Sequence, residues 1–415
     1  MTSLSPRASF WTAAAVAGLA LWASGAPTIV YPLYEAQWHL SAAAGTLIFA
    51  IYPIALIPTL LVFGNLSDHI GRRAAILLGL VLLAAGTVAF GLAGDLTAVL
   101  IGRALMGIGV GLSLSPATAA MIDFGGAERA PRASSVTTAA TATGLALATL
   151  VGGLLVQHAP FPLHLTFWVL LVVTVLVGAA VAFLPRTRDT SIGRWRPRAP
   201  RVPAGIRREF AAAALGVSTA FAVGSVFLAL GAQVAQQLIG SGDAFINGAV
   251  ISVSAVAIGV VAILARRLRP RMSLAFAPIA MVTGLAALVG AGLVHSLIFF
   301  VIASVLTGAG YSLLFSGGLG MVTASAPAHH RAAVISAVYT VGYLVQAIAA
   351  LALGVIATSS GLLAAIEIGS VVLVLLAVAA GVVGNVGGRR AKAQDAPIPL
   401  VTSGEQAAEE SRRAA

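Results

Sequence analysis

Apolar runs near twenty residues long alternate with short polar breaks along the whole of this chain. Twelve such runs stand out, roughly 10–33, 41–63, 74–94, 98–121, 133–157, 164–184, 209–238, 244–265, 272–294, 297–321, 331–358 and 362–386. A helix rises about 1.5 Å per residue, so about 20 apolar residues cross a hydrocarbon layer of about 30 Å. The pattern predicts an all-α membrane protein with twelve transmembrane helices.

Composition supports this reading independently. Of 415 residues, 59% are hydrophobic and only 9% charged, with a mean hydropathy of +1.00. Soluble domains carry about 25% charged residues. A chain this apolar needs lipid to cover it. It has no cysteine, which excludes disulfides and thiolate metal sites.

Charge adds orientation. With the runs placed as helices, 23 of the 24 Lys and Arg residues fall on one side of the membrane. The exception, Arg103, lies inside the fourth run. The positive-inside rule makes the basic side cytoplasmic and puts both termini there. One missed span would flip every later loop and destroy the asymmetry. The net charge of +11 therefore reads as an orientation signal beside anionic lipid, not as a nucleic-acid site. The first run is too long for a signal-peptide core, and its removal would leave eleven spans, so it is expected to be retained.

The segment Arg186–Arg208 breaks the pattern, with Pro197, Pro200, Pro203 and eight arginines. It reads as a cytoplasmic linker, 186–208, between six-span halves at 1–185 and 209–387. A polar tail, 388–415, follows and is expected to be disordered. The halves repeat at an offset near 200: Arg103-Ala-Leu-Met-Gly-Ile-Gly-Val-Gly-Leu112 aligns with Ser304-Val-Leu-Thr-Gly-Ala-Gly-Tyr-Ser-Leu313. Such a repeat places a substrate site between the halves, near the bilayer midplane.

The break between the second and third runs reads Gly64-Asn-Leu-Ser-Asp-His-Ile-Gly-Arg-Arg73. Gly64 and Gly71 permit turns or close backbone approach. Asp68 only accepts hydrogen bonds and Arg72 is a forked donor, so they can latch to each other and to helix ends. A basic topogenic loop would account for Arg72 and Arg73 but not for the glycines and the acid. The stretch fits G-x-L-x-D-x-x-G-R-R at Gly64, Leu66, Asp68, Gly71, Arg72 and Arg73. That is the signature of the loop between helices 2 and 3 in the major facilitator superfamily, which this chain resembles over essentially its whole length.

The resemblance implies two pseudo-symmetric six-helix bundles that rock about a central site. It also implies that the loop is a cytoplasmic latch, closed when the transporter faces outward and parted when it faces inward, with Asp123 as the acid at the inner end of helix 4. An arginine in helix 4 followed by glycines, here Arg103 with Gly107, Gly109 and Gly111, is associated in that family with proton transfer or substrate contact. Two readings of Arg103 stand: it faces a cavity or partner, or it snorkels to the interface. Helix 5 carries Gly144, Gly152 and Gly153 of the exporters' antiporter signature, but Ala148 and Thr149 replace its Gly and Pro. The glycines still allow close helix packing, whereas the built-in proline kink is gone.

Other polar positions are candidates for the substrate or proton pathway. Tyr339, Tyr343 and Gln346 share a helical face in the eleventh run, Gln233, Gln236 and Gln237 share one in the seventh, and Tyr311 lies in the tenth. Each set lines a cavity or hydrogen-bonds between helices. Glu367 in the last run reads as a snorkelling carboxylate. There is no Walker loop, and no enzyme constellation, metal site or cofactor is expected. The expected function is proton-coupled efflux of a small organic compound, a drug or sugar-like metabolite, by a protein acting as a monomer. The alternative is a proton-coupled symporter importing a metabolite. A non-transporting membrane sensor fits the intact latch less well.

Overall fold

A computed structural model describes residues 4–64, 66–125, 130–186, 202–326 and 331–394. Every regular element among them is helical: α1 (Pro6–Gly25), α2 (Tyr31–Trp38), α3 (Ala42–Phe63), α4 (Leu66–Ile70), α5 (Arg72–Gly91), α6 (Leu96–Gly125), α7 (Ala130–His158), α8 (Leu165–Val181), α9 (Arg207–Ser225), α10 (Gly231–Gln233), α11 (Ala244–Leu264), α12 (Pro270–Leu293), α13 (Leu297–Ser325), α14 (Arg331–Ser360) and α15 (Leu362–Gln394). Among the described residues, eleven helical stretches are long and apolar enough to cross a membrane. The twelfth, α8, has 17 residues. At about 26 Å it sits near the lower limit for a span. Most of the expected linker, 187–201, and the tail from 395 lie outside the described residues. The last helix continues past the expected end at Gly387, to Gln394.

Two predicted spans are not continuous α-helices. The run at 10–33 breaks after Gly25, turns through 26–30 and resumes as α2, which ends at His39 with φ 51°. Pro27 is the cause, because it has no N–H to continue the ladder. The run at 209–238 stays helical but loosens into π turns at Val226–Leu230 and Val234–Leu238, on either side of α10. The two irregularities, at 26–30 and 226–230, lie 200 residues apart, the offset of the sequence repeat. The first helix of each half is thus interrupted at the same level by different means.

Helix packing repeats in the same register. α1 packs on α6 and α7 as α9 packs on α13 and α14; α3 packs on α6 as α11 packs on α13; α5 packs on α8 as α12 packs on α15. The halves meet where α3 packs on α14 and α7 on α11. Glycines make the second seam possible. A Cβ on Gly248 would stand 2.2 Å from the Thr149 carbonyl oxygen, and one on Gly153 would stand 2.5 Å from that of Ala244. At the other end of the same α7 stripe, a Cβ on Gly144 would stand 1.9 Å from the Gly18 oxygen of α1. The glycines of the helix 5 pattern therefore bring backbones together on two sides of α7.

Gly248→Val should pry this seam apart, since backbone and not a flexible side chain is in the way. Labels at Ala159→Cys and Gly242→Cys, near the ends of α7 and α11, should move farther apart than in the parent. An unchanged distance would show that the seam has slack the packing does not suggest.

Candidate functional site

Arg103 is completely buried, seven residues into α6. Enclosure removes the snorkelling reading. Its Nη2 donates to the Ser24 carbonyl oxygen at 2.9 Å and its Nη1 to that of Ala23 at 3.3 Å. These are the carbonyls that the break in α1 releases. In an unbroken helix residue 27 would donate to Ala23 and residue 28 to Ser24. Pro27 has no N–H, and the Thr28 N–H turns instead to the Gly25 oxygen, at 3.1 Å. Arg103 thus caps α1, placing positive charge at the negative end of its dipole. The guanidinium carbon also lies 4.7 Å from the ring centre of Tyr52 and 5.8 Å from that of Phe49, a favourable seat for a desolvated cation. The Tyr31 hydroxyl is buried beside Arg103 and interacts with its charge.

In the second half, rings from α13 and α14 gather around Phe221 of α9. Its centroid is 4.7 Å from Tyr343, 5.9 Å from Phe315, 6.3 Å from Tyr339 and 6.4 Å from Tyr311. Tyr343 lies within electrostatic range of Tyr52 on α3, so the ring group reaches towards the first half. The structure therefore unites Tyr311, Tyr339 and Tyr343, which the sequence supplied from two separate runs. It also adds Phe221, Phe315 and Tyr52. Only the i, i+4 spacing of Tyr311 and Phe315 hinted at one of these additions. Gln346 is buried on the face of Tyr339, about two turns along α14.

The seventh-run glutamines divide. Gln233 is buried, and its Nε2 donates to Glu35 Oε1 on α2, across the two halves. Gln236 and Gln237 are exposed. Ideal α-helical periodicity placed all three together, but the π turn at 234–238 changes the angular spacing. Among the described residues, two more hydrogen bonds join the halves at this end: Ala43 N to Thr358 Oγ1 at 3.0 Å, and Ala244 N to Gln157 Oε1 at 2.8 Å. His158 of α7 also lies against Phe245 of α11. The molecule is thus held closed at the end opposite its arginines. Glu35 lies beyond the spanning part of α1, and partial burial pushes its carboxyl up to about 7.

At the basic end, α4 and α5 meet at Gly71, whose φ of 89° suits glycine. The turn aims Arg72 at Ser67 Oγ (2.6 Å), Asp68 Oδ1 (2.5 Å) and Asp123 Oδ2 of α6 (3.3 Å). Arg73 donates to the Leu184 carbonyl oxygen after α8, at 3.4 Å. Leu66 is half-buried at the start of α4, and Gly64 ends α3. These bonds all lie within the first half. They are formed while the opposite end is closed, so the Arg72–Asp123 pair is not what parts in this state. Glu367 is exposed on α15.

Asp68→Asn should lower transport about tenfold, about 1.4 kcal/mol in the balance of states, with the fold retained. Exposed ion pairs are worth only about 0–1 kcal/mol to stability, and Arg72 keeps Asp123. Full transport by well-expressed Asp68→Asn protein would remove the loop from the conformational cycle.

Two repeated helical bundles, closed on each other at one end around an internal ring group, have the architecture of a membrane transporter. The chain belongs to the Major Facilitator Superfamily, whose family description matches residues 10–350. Its fold is similar to that of a mutant of the peptide transporter POT, with a TM-score of 0.73 and 17% identity over 92% of this chain and 94% of that one. It is also similar to a bacterial homolog of the human lysosomal transporter Spinster, inward-facing and unoccupied, with a TM-score of 0.70 and 15% identity over 91% and 97% of the two chains. No curated protein matches the sequence.

Proposed function

We propose that this transporter uses a proton gradient to export a small organic compound by alternating access. The observation that carries the reading is the Glu35–Gln233 bond: a carboxyl that titrates near neutrality sits where the halves close. Closure and protonation are then linked at one residue. The rings of Phe221, Tyr311, Phe315, Tyr339 and Tyr343 offer flat apolar faces and hydroxyls, which suits an aromatic drug-like compound or a sugar-like metabolite. The glycine stripe of α7 favours export, through its likeness to the exporter pattern. The basic end is cytoplasmic by the positive-inside rule, with both termini there and the protein in the inner membrane, acting as a monomer.

Transport should be followed in vesicles of known orientation under an imposed pH gradient, with compounds chosen from a resistance and uptake panel. The expected result is accumulation driven by the gradient and collapsed by a protonophore. Gradient-insensitive transport would refute proton coupling. Gradient-driven uptake in the opposite sense would make the protein a symporter.

A further inference from the structure

The second-half counterpart of the 64–73 loop is Arg266-Arg-Leu-Arg-Pro-Arg271, which keeps the charge of the first-half motif but not its Gly and Asp. Beside it, at the basic end, lies a cavity of about 440 Å³ between the starts of α9 and α12 and the end of α13. Arg269, Arg271, Glu209 and Ser325 supply its polar wall, and Met272 and Met321 its apolar wall. Among the described residues, the ion pairs are those of Arg72 alone, so Glu209, Arg269 and Arg271 keep their charges unpaired. The cavity therefore presents both signs of charge with no direct ion pair between them.

An apolar track leads away from it. Met272, Phe276, Ile279 and Val282 are exposed at helical spacing on one side of α12. From Met272 to Val282 the helix advances about 15 Å, the thickness of one leaflet of a hydrocarbon core of about 30 Å. A cationic pair and a carboxylate at the top of a leaflet-long apolar track match one kind of molecule: a phosphate, an ammonium group and an acyl chain in line.

We propose that this cavity binds the headgroup of an aminophospholipid, phosphatidylethanolamine, from the leaflet at the basic end. The phosphate lies between Arg269 and Arg271, and the primary ammonium donates to Glu209, with Ser325 able to donate to a phosphate oxygen. An acyl chain follows Met272, Phe276 and Ile279. Phosphatidylglycerol offers the phosphate but no cation for Glu209. Phosphatidylcholine offers a cation without N–H donors.

The full-length protein, purified in mild detergent from membranes containing both phosphatidylethanolamine and phosphatidylglycerol, would be examined by native mass spectrometry with lipid extraction. Phosphatidylethanolamine should be retained preferentially. An Arg269→Ala/Arg271→Ala variant should lose about tenfold in retention, as expected for losing charge-assisted contacts. The Arg269→Lys/Arg271→Lys variant, which keeps charge, controls for folding and should retain most of the lipid. Glu209→Gln should shift preference from phosphatidylethanolamine towards phosphatidylglycerol. Soluble glycerophosphoethanolamine should not displace the lipid, because the track contributes to binding. Equal retention by the double alanine variant, no change in preference with Glu209→Gln, or displacement by the soluble headgroup would each overturn the proposal. None of these readouts depends on the transported compound.

Discussion

Arg103→Met should abolish transport and lower the melting temperature, and Pro27→Ala in the same chain should restore part of the lost stability. The reasoning follows the carbonyls. Methionine fills the volume but donates nothing, so the Ala23 and Ser24 oxygens lose their donors inside the protein. Each unsatisfied buried group costs about 1–3 kcal/mol. Alanine at position 27 supplies the N–H that proline lacks and lets α1 continue, giving the Ala23 oxygen a local partner. The two substitutions should therefore be non-additive by about 1 kcal/mol or more. Arg103→Lys keeps the charge but not the fork, so it should satisfy one carbonyl and recover transport only in part. The measurement is thermal unfolding in detergent followed by the intrinsic fluorescence of the five tryptophans. Strict additivity of Arg103→Met and Pro27→Ala would separate the arginine from the break. Undiminished gradient-driven transport in Arg103→Met would show that the cap is not needed for the cycle.

The second large effect concerns pH at the closed end. In the closed molecule burial raises the Glu35 carboxyl from its ordinary 4.5 to about 7. When the halves separate and water reaches it, it should return towards the ordinary value. The closed state then binds more protons than the open state between about pH 4.5 and 7. Closure is accordingly favoured at low pH and is weakened as pH rises through about 7. Labels at Ser41→Cys and Ser360→Cys, on the facing ends of α3 and α14, report the opening without background, since the chain has no cysteine. Their separation should be short at acid pH and widen in alkali. Glu35→Gln should hold the end closed and flatten the dependence, because a neutral amide imposes no charged form. His158 also lies at this seam, against Phe245, so His158→Gln is a control and should leave the dependence in place. A pH dependence that survives in Glu35→Gln but vanishes in His158→Gln would move the switch to the histidine.

Much of the fold was legible because a bilayer imposes long-range rules on local sequence. Each backbone polar group must be satisfied within its own helix, so twelve apolar runs report spans directly. The charge asymmetry and the repeat at an offset near 200 give those spans an expected order from sequence alone. The 64–73 loop was equally readable, because its contacts are short in sequence or reach one acid. Arg72 meets Ser67 and Asp68 a turn away, and Asp123 lies at the predicted helix end.

What the sequence left open are the features set by packing between distant runs. Arg103 read as a cavity or interface charge, since nothing local reveals that its partners are the carbonyls that Pro27 frees some 80 residues earlier. The Gln233–Glu35 bond spans 198 residues and depends on π turns that alter the helical spacing. Periodicity grouped Gln237 with Gln233 for want of that information. Phe221 read as one more apolar residue, yet it stands at the centre of the ring group because α9, α13 and α14 converge there. Hydropathy is a property of single residues summed along a helix, so the chain alone tells how many apolar spans to expect. Which faces meet is decided by shape and by pairing of buried polar groups across helices, and those exist only once the two bundles have closed on each other.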